Sequence, residues 1–174
     1  MLLITALIIV ALIAAALAYA ATKADTFRVE RSIVIQAEIG KITPLVNDFH
    51  QWSAWTPYNK DPDMLKAFSG AASGVGAIYE WEGNSQVGKG MISISESLPE
   101  KITLKLDFIR PFVAHNTAEF SFVAQGAATQ VSWAMSGPQP YLGKVMSLFF
   151  NVDKMVGQDF EKGLAQLKAV AESA

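Results

Sequence analysis

Side chains able to do acid–base work are few in this sequence, and the best two are neighbours. Asp48 and His50 stand two residues apart where an apolar-periodic segment runs into an aromatic loop, a spacing that would let the carboxylate orient the imidazole as a base. The plainer meaning of the pair is a surface histidine beside a helix end. Glu80 is the third candidate, but it alternates with Tyr79 and Trp81 and so points away from the face those two share. The absence of cysteine removes thiolate nucleophiles, thiolate metal ligands and disulfides together. His50 and His115 are far apart and neither belongs to an HxxxH spacing, so neither a metal nor another cofactor is expected. A net charge of −2, with no basic stripe between aromatics, leaves no field for nucleic acid as a partner.

The elements around these residues are mostly strands. Phe27 to Gln36 alternates Phe27, Val29, Ile33 and Ile35 against polar residues and reads as a first strand, with Arg31 on the apolar side. Its expected role is an ion pair with a carboxylate of the last helix. Glu38 to Asp48 has helical spacing, with Pro44 requiring either a start near Thr43 as cap or a kink. The segment His50 to Tyr58, rich in aromatics, should fold over the end of the core. Six further strands follow: Met64 to Phe68, Ala77 to Glu82, Val87 to Ser97, Lys101 to Ile109, Val113 to Ala124 and Thr129 to Ser136. Glycine, proline and asparagine punctuate the gaps between them.

From Leu142 to about Val170, Val145, Leu148, Phe149, Val152, Met155, Val156, Phe160, Leu164 and Leu167 recur at three- and four-residue steps. One long helix with one apolar stripe is predicted, with Lys144, Asp153, Lys154 and Lys162 on its wet side. An order of strand, helix, six strands and helix, with hairpin-length connections, predicts an α+β fold: an antiparallel sheet of about seven strands curled around the C-terminal helix.

Ahead of this unit, Leu2 to Ala21 carries no charge and is long enough as a helix, about 30 Å, to cross a bilayer core. Tyr19 would stand at one interface. The division is therefore 1–22 as a transmembrane anchor and 23–174 as the folded domain, a single-pass membrane protein. The rival is a signal peptide cleaved near Ala18-Tyr19-Ala20, which would give a secreted form. The missing Lys or Arg before the apolar run favours the anchor. Lys23, Arg28 and Arg31 follow the span and lean towards a cytoplasmic domain.

Several passages resemble the SRPBCC superfamily, the START-like or Bet v 1-like helix-grip proteins, and within it bacterial polyketide cyclase/dehydrase-type proteins. They are Val29-Glu30-Arg31-Ser32-Ile33-Val34-Ile35, Val46-Asn47-Asp48-Phe49 with Trp52 and Trp55, Gly74-Val75-Gly76 through Trp81-Glu82-Gly83-Asn84, and Asp153-Lys154-Met155-Val156-Gly157 through Asp159-Phe160-Glu161. The likeness runs from about Phe27 to Leu167 and implies the helix-grip fold. It implies no catalytic residue, because the group includes lipid carriers, receptors and cyclases.

Alternation places Tyr79, Trp81, Ile92, Ile94, Ile102, Leu104, Leu106, Phe108, Phe120, Phe122, Val131, Trp133 and Met135 on the inner face, with Asn116 in phase as the one amide. With Phe149, Val152 and Val156 from the helix, they are the expected lining of an apolar cavity. None of them carries a group that ionises near neutral pH, which favours binding over general acid–base catalysis. The reading is a membrane-tethered domain that holds a lipid-like or polycyclic hydrophobic small molecule. Alternatives are a cyclase or dehydrase using Asp48, His50 or Glu80, and an interaction domain using Trp52, Trp55 and Tyr58 as exposed aromatics.

Overall fold

The computed structural model describes residues 1–173. Helix α1 (Leu2–Ala21) is followed by strand β1 (Thr26–Ile35), helix α2 (Ile39–Asn47) and a 3₁₀ segment, Phe49–Ala54. Strands β2 (Leu65–Gly70), β3 (Ala77–Glu82), β4 (Lys89–Leu98), β5 (Lys101–Arg110), β6 (Ala114–Gln125) and β7 (Ala128–Pro138) come next, then helices α3 (Tyr141–Met146) and α4 (Val152–Ser173). All seven strands form one antiparallel sheet in the order β1-β7-β6-β5-β4-β3-β2. A register shift between Ile94 and Glu96 helps bend the long β4–β5 pair. The curled sheet grips α4, the α+β arrangement that alternation predicts.

The long terminal helix is the principal correction. Its apolar stripe is continuous, but the chain leaves helical geometry between Ser147 and Asn151 and makes two helices of one. Local polar groups decide this. The Ser147 hydroxyl donates to the Lys144 carbonyl at 2.7 Å, and Asn151 Oδ1 accepts the Lys154 backbone N–H at 2.9 Å, a cap for the new helix. Phe149 and Val152 consequently lie exposed at the bend and its exit, outside the space between helix and sheet. Lys144, assigned to the wet side, is buried and ion-paired with Asp25 at 2.6 Å. Of the two readings left open at Pro44, the structure excludes the start at Thr43: α2 runs through the proline, and the Thr43 hydroxyl donates to the Ile39 carbonyl instead of capping a helix start.

Helix α4 packs chiefly on β1 and α2 through Gly157, Phe160, Gly163, Leu164, Leu167 and Ala171. Two glycines make the approach close. A methyl group on Gly157 would fall 2.0 Å from the Arg31 guanidinium, and one on Gly163 would fall 2.7 Å from the Trp133 ring. Arg31 crosses α4 over Gly157 and reaches Asp153 and Glu161, each at 2.9 Å, which is the ion pairing expected of it.

The Asp153 carboxyl is held below the ordinary carboxylate range, first by its hydrogen bond from Arg31, which outweighs the cost of burial, and then by the smaller effect of the cation's charge. A folded-state pKa below the unfolded one stabilises the fold at neutral pH, and that contribution disappears as pH falls below the ordinary value of 3.8 and through the lowered one. Urea titrations from neutral pH down to about pH 3 should therefore show a loss of stability that is shallower in Arg31→Met. Equal slopes in the two proteins would remove this pair from the acid response.

Candidate ligand site

The middle of the space between helix and sheet is solid. The Trp133 ring lies flat on Phe160, with centroids 4.1 Å apart and planes 9° apart, and Phe120 covers its other face at 4.9 Å. Trp55 meets both Phe120 and Trp133 edge-on. Ile92, Ile94, Ile102, Leu104, Phe122 and Val131 are buried in the same core. The Trp133 indole N–H is buried and has no hydrogen-bond partner, the single such side-chain atom among the described residues. An unpaired buried N–H costs about 1–3 kcal/mol, so an acceptor reaching it would be bound favourably.

Packing loosens towards one end of the sheet. Register places Trp81 beside Gly90, Gly90 beside Phe108, Phe108 beside Ala114, and Thr117 beside Ser136, which pairs with Arg28 just after α1. Towards this end the inner face changes from fully buried to half-buried on strand after strand. Leu104 gives way to Leu106 and Phe108 on β5, Phe120 and Ala118 to Asn116 on β6, and Ala77 to Tyr79 and Trp81 on β3. Met135 is buried in the core cluster, and Val156 packs partly buried against it. Asn116 lies over Gly137, where a methyl group would come within 2.0 Å of its amide oxygen. Its oxygen therefore owes its place to a glycine on the neighbouring strand.

An aromatic row runs along this face. His50 stacks on Phe68 at 4.4 Å, Phe68 on Tyr79 at 5.1 Å, and Tyr79 leads to Trp81 and then Phe108 at about 6 Å steps. Trp81 can lie flat there because Gly90 has no side chain; a methyl group would meet its ring at 2.4 Å. At the His50 end the row enters a pocket of about 220 Å³ lined by Phe49, His50, Trp52, Ser53, Thr56, Asn59, Lys66, Phe68 and Tyr79. Lys66 donates to Asn59 Oδ1 at 2.8 Å across its rim.

His50 and Asp48 are brought together as their spacing suggested. The His50 ring nitrogen Nδ1 is 2.8 Å from Asp48 Oδ1, and the same oxygen accepts the His50 backbone N–H at 2.9 Å. Partial burial pushes the Asp48 carboxyl up, but hydrogen bonds from the His50 backbone and ring and from Gln51 outweigh it and hold the group below the carboxylate range. The nearby Ser53 Oγ is engaged by the backbone, donating to the His50 carbonyl at 3.3 Å. Glu80 is exposed on the opposite face, as its parity requires. No group of three or more His, Cys, Asp or Glu able to hold a metal occurs among the described residues.

Trp52 and Trp55 are not exposed. Their indole N–H groups donate to the carbonyls of Val46 and Leu45 at 2.9 and 2.8 Å, so the aromatic segment is fastened over the last turn of α2 and joins the core. Only Tyr58 of the three keeps an exposed face, its ring edge-on to Trp133. Phe49, Phe68, Asn59 and Lys66 are site residues that the alternation argument misses. Phe68 was within reach of it: on the edge strand β2 it pairs with Tyr79 and shares its face.

A curled antiparallel sheet gripping a C-terminal helix, with a half-open aromatic face between them, defines a helix-grip fold of the SRPBCC type. The chain belongs to the polyketide cyclase / dehydrase and lipid transport family, which it matches over residues 26–172. Its fold is similar to that of the di-domain ARO/CYC StfQ from the steffimycin biosynthetic pathway, at a TM-score of 0.66 and 11% identity, covering 85% of this chain and 51% of that one. It is also similar to the Aha1 dimer from Colwellia psychrerythraea (TM-score 0.58, 16% identity, 84% and 96% covered) and to protein CV1439 from Chromobacterium violaceum (0.58, 15%, 85% and 97%). No curated protein sequence matches the chain. At these identities the likeness to solved structures is one of fold.

Proposed function

We propose that the domain holds a lipid-like or polycyclic hydrophobic molecule along the aromatic row, as the ligand-binding part of a membrane-anchored chain. The observation that carries this reading is the row itself: Phe68, exposed on the edge strand, and the half-buried Tyr79, Trp81 and Phe108 present connected rings on the concave face of the sheet. Apolar walls with a few polar groups at defined points are what a small-molecule site needs. His50, Asn59 and Lys66 supply those groups at one end, and Asn116 at the other. The pocket of about 220 Å³ is smaller than a whole drug-sized ligand requires, so the ligand's body extends along the open row.

Native mass spectrometry of the full chain, released from mild detergent, tests this directly. A co-purifying apolar molecule at one per chain is the expected result. If the chain flies bare and a fluorescent fatty acid and a polycyclic dye both fail to bind, the reading is wrong.

A catalytic alternative rests on the oriented His50–Asp48 pair at the pocket wall. His50→Ala separates the two. A carrier retains its ligand with a modest loss of affinity, whereas an enzyme using His50 as general base loses turnover by about 10²–10⁴-fold.

Helix α1 is the one helix long and apolar enough to cross a membrane among the described residues, a property that signal sequences share. We take it as the anchor and the remainder as a self-contained unit. Residues 25–174 should therefore unfold in a single cooperative thermal transition. A transition seen only for the full chain in detergent would make α1 part of the domain's core.

A further inference from the structure

The end of the domain that carries α1 is apolar on its outside. Helix α3 lies against α1, where the Tyr141 hydroxyl donates to the Leu17 carbonyl at 3.0 Å. Leu17 is four residues before the end of α1, so this contact lies about 6 Å inside the apolar helix at 1.5 Å per residue. Two more contacts fasten the joint: Lys144 pairs with Asp25 at 2.6 Å, and Lys23 donates to Ser147 Oγ at 3.1 Å. Helix α3 and the bend after it are thereby held at the level of the last turns of α1.

Those segments expose Leu142, Met146, Phe149 and Phe150, and the β5–β6 connection at the same end of the sheet exposes Phe112 and Val113. Phe149 and Phe112 are each 76% exposed. Across residues 109–113 and 139–152 the charged side chains are Arg110, ion-paired with Glu82, and the buried Lys144, ion-paired with Asp25, so the exposed surface there is mainly apolar. Aqueous solvent is a poor medium for such an apolar surface, and the interfacial layer of a bilayer is a good one.

We propose that the α3 bend and the β5–β6 connection are seated in the bilayer that α1 spans, which turns the open end of the aromatic row towards the lipid. The inference rests on the anchor reading of α1 and adds a route: an apolar ligand passes between bilayer and groove past Phe108 and Trp81 without crossing water. Tyr141, an amphipathic ring at the interface, fixes the depth.

The absence of native cysteine makes the test simple. The full chain carrying Phe149→Cys, Phe112→Cys, Leu142→Cys, Ile9→Cys or Ala127→Cys is labelled with an environment-sensitive fluorophore. Each is reconstituted in vesicles of three parts phosphatidylcholine to one part phosphatidylglycerol, with nitroxide on the acyl chains as quencher. Positions 149, 142 and 112 should show blue-shifted emission and quenching several-fold stronger than position 127 in the β6–β7 turn. Position 9 reports on α1 alone. If position 9 is quenched while 149 and 142, or 112, stay in water, the seating is overturned and the anchor stands. If position 9 is also unquenched, the anchor reading itself has failed. Two reporters from the same bend, 149 and 142, keep the result independent of any one substitution.

Discussion

Phe160→Ala should cost about 3–5 kcal/mol of folding stability, the usual range for deleting a buried aromatic from a packed core. The size follows from the neighbours of the ring. Phe160 is buried from α4 onto Trp133, which is itself backed by Phe120 and edged by Trp55. Truncation removes a near-parallel stack as well as apolar area, and offset or stacked rings contribute about 0.5–1.5 kcal/mol beyond their area. The surrounding groups cannot readily collapse into the gap. Trp133 is held by the sheet, and Gly163 on the next turn has no side chain with which to fill it. Lys162→Ala, on the exposed side of the same helix, should change stability by less than about 0.5 kcal/mol. Urea titration of both variants is the measurement; equal midpoints would mean that the other side of α4 faces the sheet.

Tyr79→Ala should weaken binding of a polycyclic dye roughly a hundredfold, or about 2.7 kcal/mol, while leaving the domain folded. Tyr79 is the central ring of the row, touching Phe49, Phe68 and Trp81. It is half-buried, so removing it spares the core stack on Trp133. A ligand lying along the row would lose about 100 Å² of apolar contact, worth about 2.5 kcal/mol at 25 cal/mol per Å². Glu80→Ala, one residue away on the outer face, is the matched control and should leave affinity unchanged. Fluorescence titration with thermal unfolding in parallel reads both quantities. An unchanged dissociation constant in Tyr79→Ala would remove the row from the binding site.

Local periodicity already determined the strands. Ile102, Leu104, Leu106 and Phe108 alternate with polar residues, and a period of two can bury them only on one face of a sheet. The stripe through Val156, Phe160, Leu164 and Leu167 likewise required a helix with one packed side, and Arg31 in an apolar phase required a carboxylate partner. Each of these is a rule about neighbours in the chain. The break of the last helix was not legible in the same way, because apolar spacing continues through Ser147–Asn151 while the polar groups that end one helix and cap the next act only through backbone geometry.

The site depended still more on tertiary structure. Parity said that Tyr79, Trp133 and Phe122 all face inward, but it contains no depth, and depth separates a ring in the solid core from a ring on the open face. That distinction comes from where α4 crosses the sheet: it covers β1 and presses Phe160 onto Trp133, leaving the β3–β5 end less filled. His50 entered the pocket wall for the same reason. Its place was set when the indoles of Trp52 and Trp55 bound the carbonyls of Val46 and Leu45, folding the loop inward and bringing His50 against Phe68, eighteen residues further along the chain. Spacing along a chain fixes which face a residue occupies; which residues meet across the fold is set by packing between elements that the spacing of neither one encodes.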